Sequence, residues 1–139
     1  MKAFDTNVLT EILMGNDAFV QRAAAIPVNQ QALQIVVAEE IIRGRLNVIR
    51  QAEAGKSRVT VEKAYRLFED TLQDMRQFLI LSHTAQAEAL YDAWRKMKVR
   101  VSTHDLRIGA ICVSHAATLI SRNRRDLERI PGLTVDFWE

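Results

Sequence analysis

Two apolar periodicities alternate along this chain. Short runs rich in β-branched and aromatic residues predict strands: the opening Ala3-Phe4, then residues 33–37, 78–81, 118–120 and 133–137. Between them, apolar residues recur at helical spacing. Residues 7–14 predict a short helix stopped by Gly15-Asn16, and Asp17 caps a second helix running to about residue 25, which Pro27 closes. Residues 38–54 predict a longer helix with Ile42, Leu46 and Ile49 as its buried stripe and Arg43, Asn47 and Arg50 on a polar face. The clearest amphipathic pattern spans 59–78, with Val61, Ala64, Tyr65, Phe68, Leu72 and Met75 on one side. A helix capped by Ser82 or Thr84 carries Ala87, Leu90, Tyr91, Trp94 and Met97. The stretch 105–116 is apolar on nearly all sides, which marks a helix packed deep in the domain. One helical turn is expected at 127–130, before the break at Pro131-Gly132.

Strands that alternate with helices predict the α/β class, a mostly parallel sheet between two helical layers. A chain of 139 residues suffices for one domain with its own core and is short for two, so a single domain over 1–139 is expected. The lone Cys112 excludes an intramolecular disulfide and suits a reducing, cytoplasmic setting. No basic-then-apolar leader opens the chain, and no apolar run approaches the roughly 20 residues of a membrane span.

A net charge of +2 says little, but its distribution says more. Cations gather around Arg43–Arg58, Arg95–Arg100 and Arg122–Arg129. Such clusters attract a polyanion, and they equally suit solvated helix faces.

Four acids fall at the ends of predicted elements. Asp5 ends the first strand, Glu40 lies in the first turn of the helix after the second, Asp105 opens the buried helix, and Asp126 follows the fourth strand. Parallel strands present their carboxyl ends along one edge, so these four can converge there. Clustered carboxylates repel one another and call for a cation, and Mg²⁺ or Mn²⁺ with oxygen ligands suits both them and a phosphodiester substrate. Asn123 can support Asp126, and Thr6 and Thr103 can donate hydrogen bonds to the acids. Plainer readings stand beside this one. Asp5 and Asp105 also suit helix caps, Glu40 can complement a helix dipole, and Asp126 can pair with neighbouring arginines. Glu40 is preferred to Glu39 because Gly44, one turn on, permits a close approach on its side.

The three histidines are scattered and offer no zinc set, with His104 suiting a cap, a surface position or a phosphate contact. Cys112 lacks an activating neighbour, and no glycine-rich phosphate loop is present.

Phe4-Asp5-Thr6-Asn7-Val8-Leu9 resembles the opening motif of PIN-domain ribonucleases, specifically the VapC-type toxins of bacterial toxin–antitoxin pairs. Val37-Ala38-Glu39-Glu40-Ile41-Ile42-Arg43-Gly44 resembles their second motif, and its register also selects Glu40. Ser102-Thr103-His104-Asp105-Leu106-Arg107-Ile108-Gly109-Ala110 resembles the third, and Thr118-Leu119-Ile120-Ser121-Arg122-Asn123 through Leu127 the fourth. Ser121 stands where Thr is usual, Leu127 where Phe is usual and Gly109 where Ala is common. The resemblance implies a PIN-like three-layer αβα fold and Mg²⁺- or Mn²⁺-dependent endoribonuclease activity. A metal-activated water would be held by Asp5, Glu40, Asp105 and Asp126. It also implies a homodimer and a small VapB-type antitoxin partner. RNA would be held by basic residues, for which Arg43, Arg107, Arg122 and Arg124 are the candidates. The rival expectations are a catalytically silent nucleic-acid-binding module of the same fold and a phosphoacceptor receiver domain. The receiver needs paired acids after the first strand and a late lysine, but Asp5 stands alone and Lys98 is the last lysine.

Overall fold

A computed structural model describes residues 1–139. Strand β1 (Lys2–Phe4) is followed by helices α1 (Thr6–Leu13) and α2 (Asp17–Ala24), a short 3₁₀ turn, and β2 (Gln31–Gln34). Then come α3 (Ile35–Glu53), α4 (Val61–Met75), β3 (Leu79–Leu81), α5 (Ala85–Lys96) and α6 (Thr103–Ser114). Strand β4 (Thr118–Ser121), α7 (Arg124–Leu127) and β5 (Val135–Phe137) complete the chain. The sheet has the order β3-β2-β1-β4-β5, and every neighbouring pair is parallel. The expected α/β fold, a parallel sheet flanked by helices, is therefore what the chain adopts. No helix is long and apolar enough to cross a membrane.

The first strand lies in the middle of the sheet. Ala3 and Phe4 of β1 are fully buried, as are Leu33 of β2 and Leu119 and Ile120 of β4. Phe4 meets the rings of Phe78 and Trp138 edge-on, each at 5.9 Å, and Phe19 of α2 reaches Trp138 at 6.2 Å. Helix α6 is the buried helix that its all-round apolar sequence requires, with Leu106 and the run Ile108 to Cys112 all buried. Alternating side chains thus send one set of the central strands' residues toward α6 and the other toward the aromatic cluster.

Several local expectations shift. Residues 33–37 do not form one strand: β2 stops at Gln34, and Ile35 through Val37 begin α3. A β-branched apolar run fits a buried strand and a buried helical turn equally well, so periodicity alone misplaces the boundary. Glu40 consequently lies in the second turn of α3, not the first. The last helical turn is Arg124–Leu127 instead of 127–130. On α4, Ala64 and Met75 are buried as expected, but Val61, Tyr65 and Leu72 are exposed, and Thr71 takes an inward position. Thr71 accepts a hydrogen bond from Arg45 Nε at 2.9 Å, which fastens α4 to α3 through a polar contact. Leu46 is likewise exposed, whereas Ile49 is buried.

Candidate functional site

Asp5 stands directly after β1 at the carboxyl edge of the sheet and is 6% exposed. Burying an ionisable carboxyl is costly unless its oxygens are bonded, and both are. Oδ1 accepts from the Thr6 backbone N–H at 2.7 Å, which makes Asp5 the N-cap of α1. Oδ2 accepts from the Ser121 hydroxyl at 2.6 Å. The plainer reading, a cap, is thus true of Asp5, but it accounts for only one of its two oxygens. The register explains the second contact: Phe4 pairs with Ile120, so Asp5 and Ser121 emerge side by side from adjacent strands.

From this centre a continuous polar path runs in both directions. Toward α3, the Thr6 hydroxyl donates to Glu40 Oε2 at 2.7 Å. His104 Nε2 stands 2.6 Å from the same oxygen, an ion pair only when the ring is protonated, and makes no hydrogen bond there. Toward α7, Ser121 Oγ also accepts from the Asn123 backbone N–H at 3.0 Å. The Asn123 side-chain amide in turn donates to Asp126 Oδ2 at 3.1 Å. Asp105 joins through charge, since its carboxyl feels those of Asp5 and Asp126. It sits in the first turn of α6, whose cap is Ser102, accepting from the Asp105 N–H at 3.1 Å.

The electrostatics follow from this crowding. Burial pushes the Asp5 carboxyl above its ordinary value, and Glu40 adds to the shift; the Ser121 and Thr6 bonds and His104 oppose it. Burial also lifts Asp105, reinforced by the charge of Asp5. Buried carboxyls lifted further by neighbouring acids favour a cation.

Asp5, Glu40 and Asp126 are thus joined along one hydrogen-bonded path, and Asp105 lies within charge range of Asp5 and Asp126, although the four come from β1's end, α3, α6 and α7. Thr6 and Asn123 are in the network, as expected. Thr103 is not: it is exposed, bonds none of the acids, and leaves the cap of α6 to Ser102. Glu39 points away and pairs with Arg43 on the outer face of α3. Two members carried too little signal in the sequence. Ser121 was visible only as a departure from the usual Thr, and His104 only as the neighbour of Asp105.

The four candidate arginines all pair with carboxylates of the same chain. Arg43 is held by Glu39, Arg107 lies 3.9 Å from Glu88 and over the Tyr91 ring, and Arg122 lies 3.5 Å from Glu11 and over Phe19. Arg124 bridges Glu128 and Glu139, which pushes its guanidinium higher still. Cys112 is buried, accepts from the Gln34 amide at 2.9 Å, and has its thiol pushed up to about 12, so it is unreactive.

No three of the carboxylates and imidazoles stand close enough to grip one ion jointly. The donor set nevertheless fits a hard, hydrated divalent ion. It is anionic and built of oxygen, two of its carboxyls are lifted by burial and by neighbouring acids, and such ions typically use one or two carboxylates and keep their waters. None of the protein's four surface cavities includes these acids.

A parallel α/β sheet with acids gathered from distant segments at its carboxyl edge defines a class in which a charged ligand is handled at a strand end. Within that class, residues 2–133 match the PIN domain model, and the chain belongs to the PIN-domain family. No curated protein sequence is significantly similar to it. Among solved structures it is similar to VapBC2 from Rickettsia felis bound to a DNA fragment from their promoter, with a TM-score of 0.77 and 19% identity over 99% of this chain and 98% of that one. It is also similar to FitAcB from Neisseria gonorrhoeae (TM-score 0.77, 22% identity, 97% and 96% covered). A toxin–antitoxin complex from Klebsiella pneumoniae gives a TM-score of 0.72 at 24% identity, with 96% of each chain covered. At these identities the likeness concerns the fold.

Proposed function

We propose that this chain is an Mg²⁺- or Mn²⁺-dependent endoribonuclease that acts as the toxin of a VapBC-type pair. The observation that carries this reading is the hydrogen-bonded path joining Asp126, Asn123, Ser121, Asp5, Thr6 and Glu40, with Asp105 facing it, on a PIN fold. Asp5, Glu40, Asp105 and Asp126 would hold the ion, directly or through water. When bound, such an ion polarises the phosphodiester and favours ionisation of the attacking water. The chain's own residues supply orientation. Ser121 and the Thr6 N–H fix the two oxygens of Asp5, the Thr6 hydroxyl turns Glu40 toward it, and Asn123 fixes Asp126.

The partner reading has its own support. Ile35, Ala38, Ile42 and Leu46, with Glu39 and Arg43 at the rim, line an apolar groove of about 540 Å³ along α3. Such a groove suits an amphipathic segment of a small antitoxin. The structural neighbours named above include toxin–antitoxin complexes. A homodimer belongs to the same reading.

The test is cleavage of RNA by the purified protein with Mg²⁺, with Mn²⁺ and with chelator, beside Asp5→Asn and Asp105→Asn. Asparagine keeps the capping oxygen at position 5. Loss of at least about 100-fold of the cleavage in both variants and with chelator is expected. Wild-type rates in either variant, or in chelator, overturn the assignment. RNA binding without any cleavage would favour the silent module.

A further inference from the structure

Arg43, Arg107, Arg122 and Arg124 are already paired, whereas Arg125, beside Asp126, is not, and two further unpaired cations lie further along the helix that carries Glu40. Arg50 and Lys56 take part in none of the protein's ion pairs. With Asn47, Gln51 and Ala54 they line a cavity of about 260 Å³ at the far end of α3. This cavity and Glu40 share one side of the helix. At 100° per residue, Gly44, Asn47, Gln51 and Ala54 follow Glu40 at i+4, i+7, i+11 and i+14, and all four are exposed. Arg50 lies ten residues beyond Glu40, about 15 Å along the axis at the helical rise. At Gly44, between them, the surface is open: a Cβ placed there would meet nothing within 4 Å.

We propose that this basic cavity binds a backbone phosphate of single-stranded RNA several nucleotides from the scissile bond, with the Glu40 side of α3 as the track between the two sites. The inference rests on the nuclease reading and adds where the substrate strand runs. The chemistry of the lining is suited to a phosphate. Arg50 offers a forked donor set, Lys56 a mobile point charge, and Asn47 and Gln51 neutral amide donors. Glu53, the nearest acid on the helix, pairs with neither cation. No aromatic ring or base-sized apolar wall is among the lining residues, so the cavity reads the backbone and not the base.

The experiment measures binding of a labelled single-stranded RNA of about ten nucleotides to the full chain in chelator, where metal-dependent cleavage is suppressed. Wild type is compared with Arg50→Gln/Lys56→Gln and with the charge-conserving Arg50→Lys/Lys56→Arg. The glutamine pair is expected to weaken binding about tenfold and to lower the slope of log K against log salt by about 1, with the charge-conserving pair near wild type. All four side-chain changes lie on exposed positions, and unchanged melting temperatures confirm intact folding. Equal affinity and equal salt slope in the glutamine pair, with cleavage by the wild type intact, overturn this inference and leave the nuclease reading standing. A wild type that neither binds nor cleaves RNA removes the nuclease reading and this inference together. A polyglutamate peptide that needs Arg50 and Lys56, while RNA binding does not, reassigns the cavity to an acidic protein partner and overturns the RNA assignment.

Discussion

The hydroxyl of Thr6 is bonded to Glu40 Oε2 at 2.7 Å across 34 positions of sequence, and this is the only direct hydrogen bond between the β1 end and α3 at the acid pocket. The same residue's backbone N–H is bonded to Asp5. One threonine therefore sets the relation between two acids.

Thr6→Val removes the side-chain bond while keeping the backbone one. RNA cleavage is expected to fall about 10-fold or more, with Thr6→Ser close to wild type, because a group that orients a metal ligand typically has that weight. Circular dichroism and the melting temperature should stay unchanged. A valine variant with full activity would separate Glu40 from the reaction.

Ser121 donates to Asp5 Oδ2 and accepts from Asn123, so it serves the buried carboxylate and the turn before α7 at once. Ser121→Ala leaves the Asp5 oxygen without its strongest neutral donor and should raise that carboxyl further. The acid limb of the pH–activity profile is expected to move upward and the maximal rate to fall about 10–100-fold. Ser121→Thr retains the hydroxyl and should restore both. An unshifted profile in the alanine variant would show that Asp5 does not titrate in the reaction.

Asp105 is held above the ordinary carboxylate value of 3.8, by burial first and by the Asp5 charge second. Above 3.8 the unfolded chain has released a proton that the native state retains. Stability therefore falls as pH rises through the interval between 3.8 and the raised native value, and it stays reduced above it. Asp105→Asn removes that loss. In chelator, the variant's advantage in melting temperature should grow with pH across the interval and then level off. Added Mg²⁺ should stabilise the wild type and close the gap. A gap independent of pH would contradict the electrostatic account.

Gly109 illustrates competing effects at one position. Alanine gains up to about 1 kcal/mol of helix propensity in mid-helix. Its Cβ would, however, stand 3.1 Å from Ile130 Cδ1 and 3.3 Å from Cγ2, and overpacking of this kind costs about 1–3 kcal/mol. Gly109→Ala should lower the melting temperature by about 2–8 °C. Adding Ile130→Val, which deletes the closest methyl, should recover much of the loss. A stabilised single variant would mean that Ile130 moves aside freely.

How far the sequence carries depends on the kind of information each feature needs. The positions of Asp5 and Asp105 were legible because a strand or helix end is a local signal, but the reason for preferring Glu40 does not hold: nothing approaches Gly44 within 4 Å, and Glu40 is placed by its bond from Thr6. The stop of β2 at Gln34 was not legible. Ile35-Val36-Val37 suits both states, and the contacts at Gln34, its pairing with Leu81 and its amide on Cys112, join residues far apart in sequence. The same holds for Ser121, whose value to the pocket comes from the strand register and not from its neighbours in sequence. The arginines show the opposite failure. Their clustering is evident in the chain, but whether each is free depends on which acid lies across the surface. The exposed side of α4 was misread because a helical stripe of Val, Tyr and Leu looks like core whether or not the rest of the protein covers it.

The bond between Asp5 and Ser121 closes a loop of 116 residues. During synthesis Asp5 emerges well before β4, and its second oxygen acquires a partner only 116 positions later. Nascent chains and fragments cut ahead of residue 118 therefore lack the Ser121 partner that completes the bonding of Asp5.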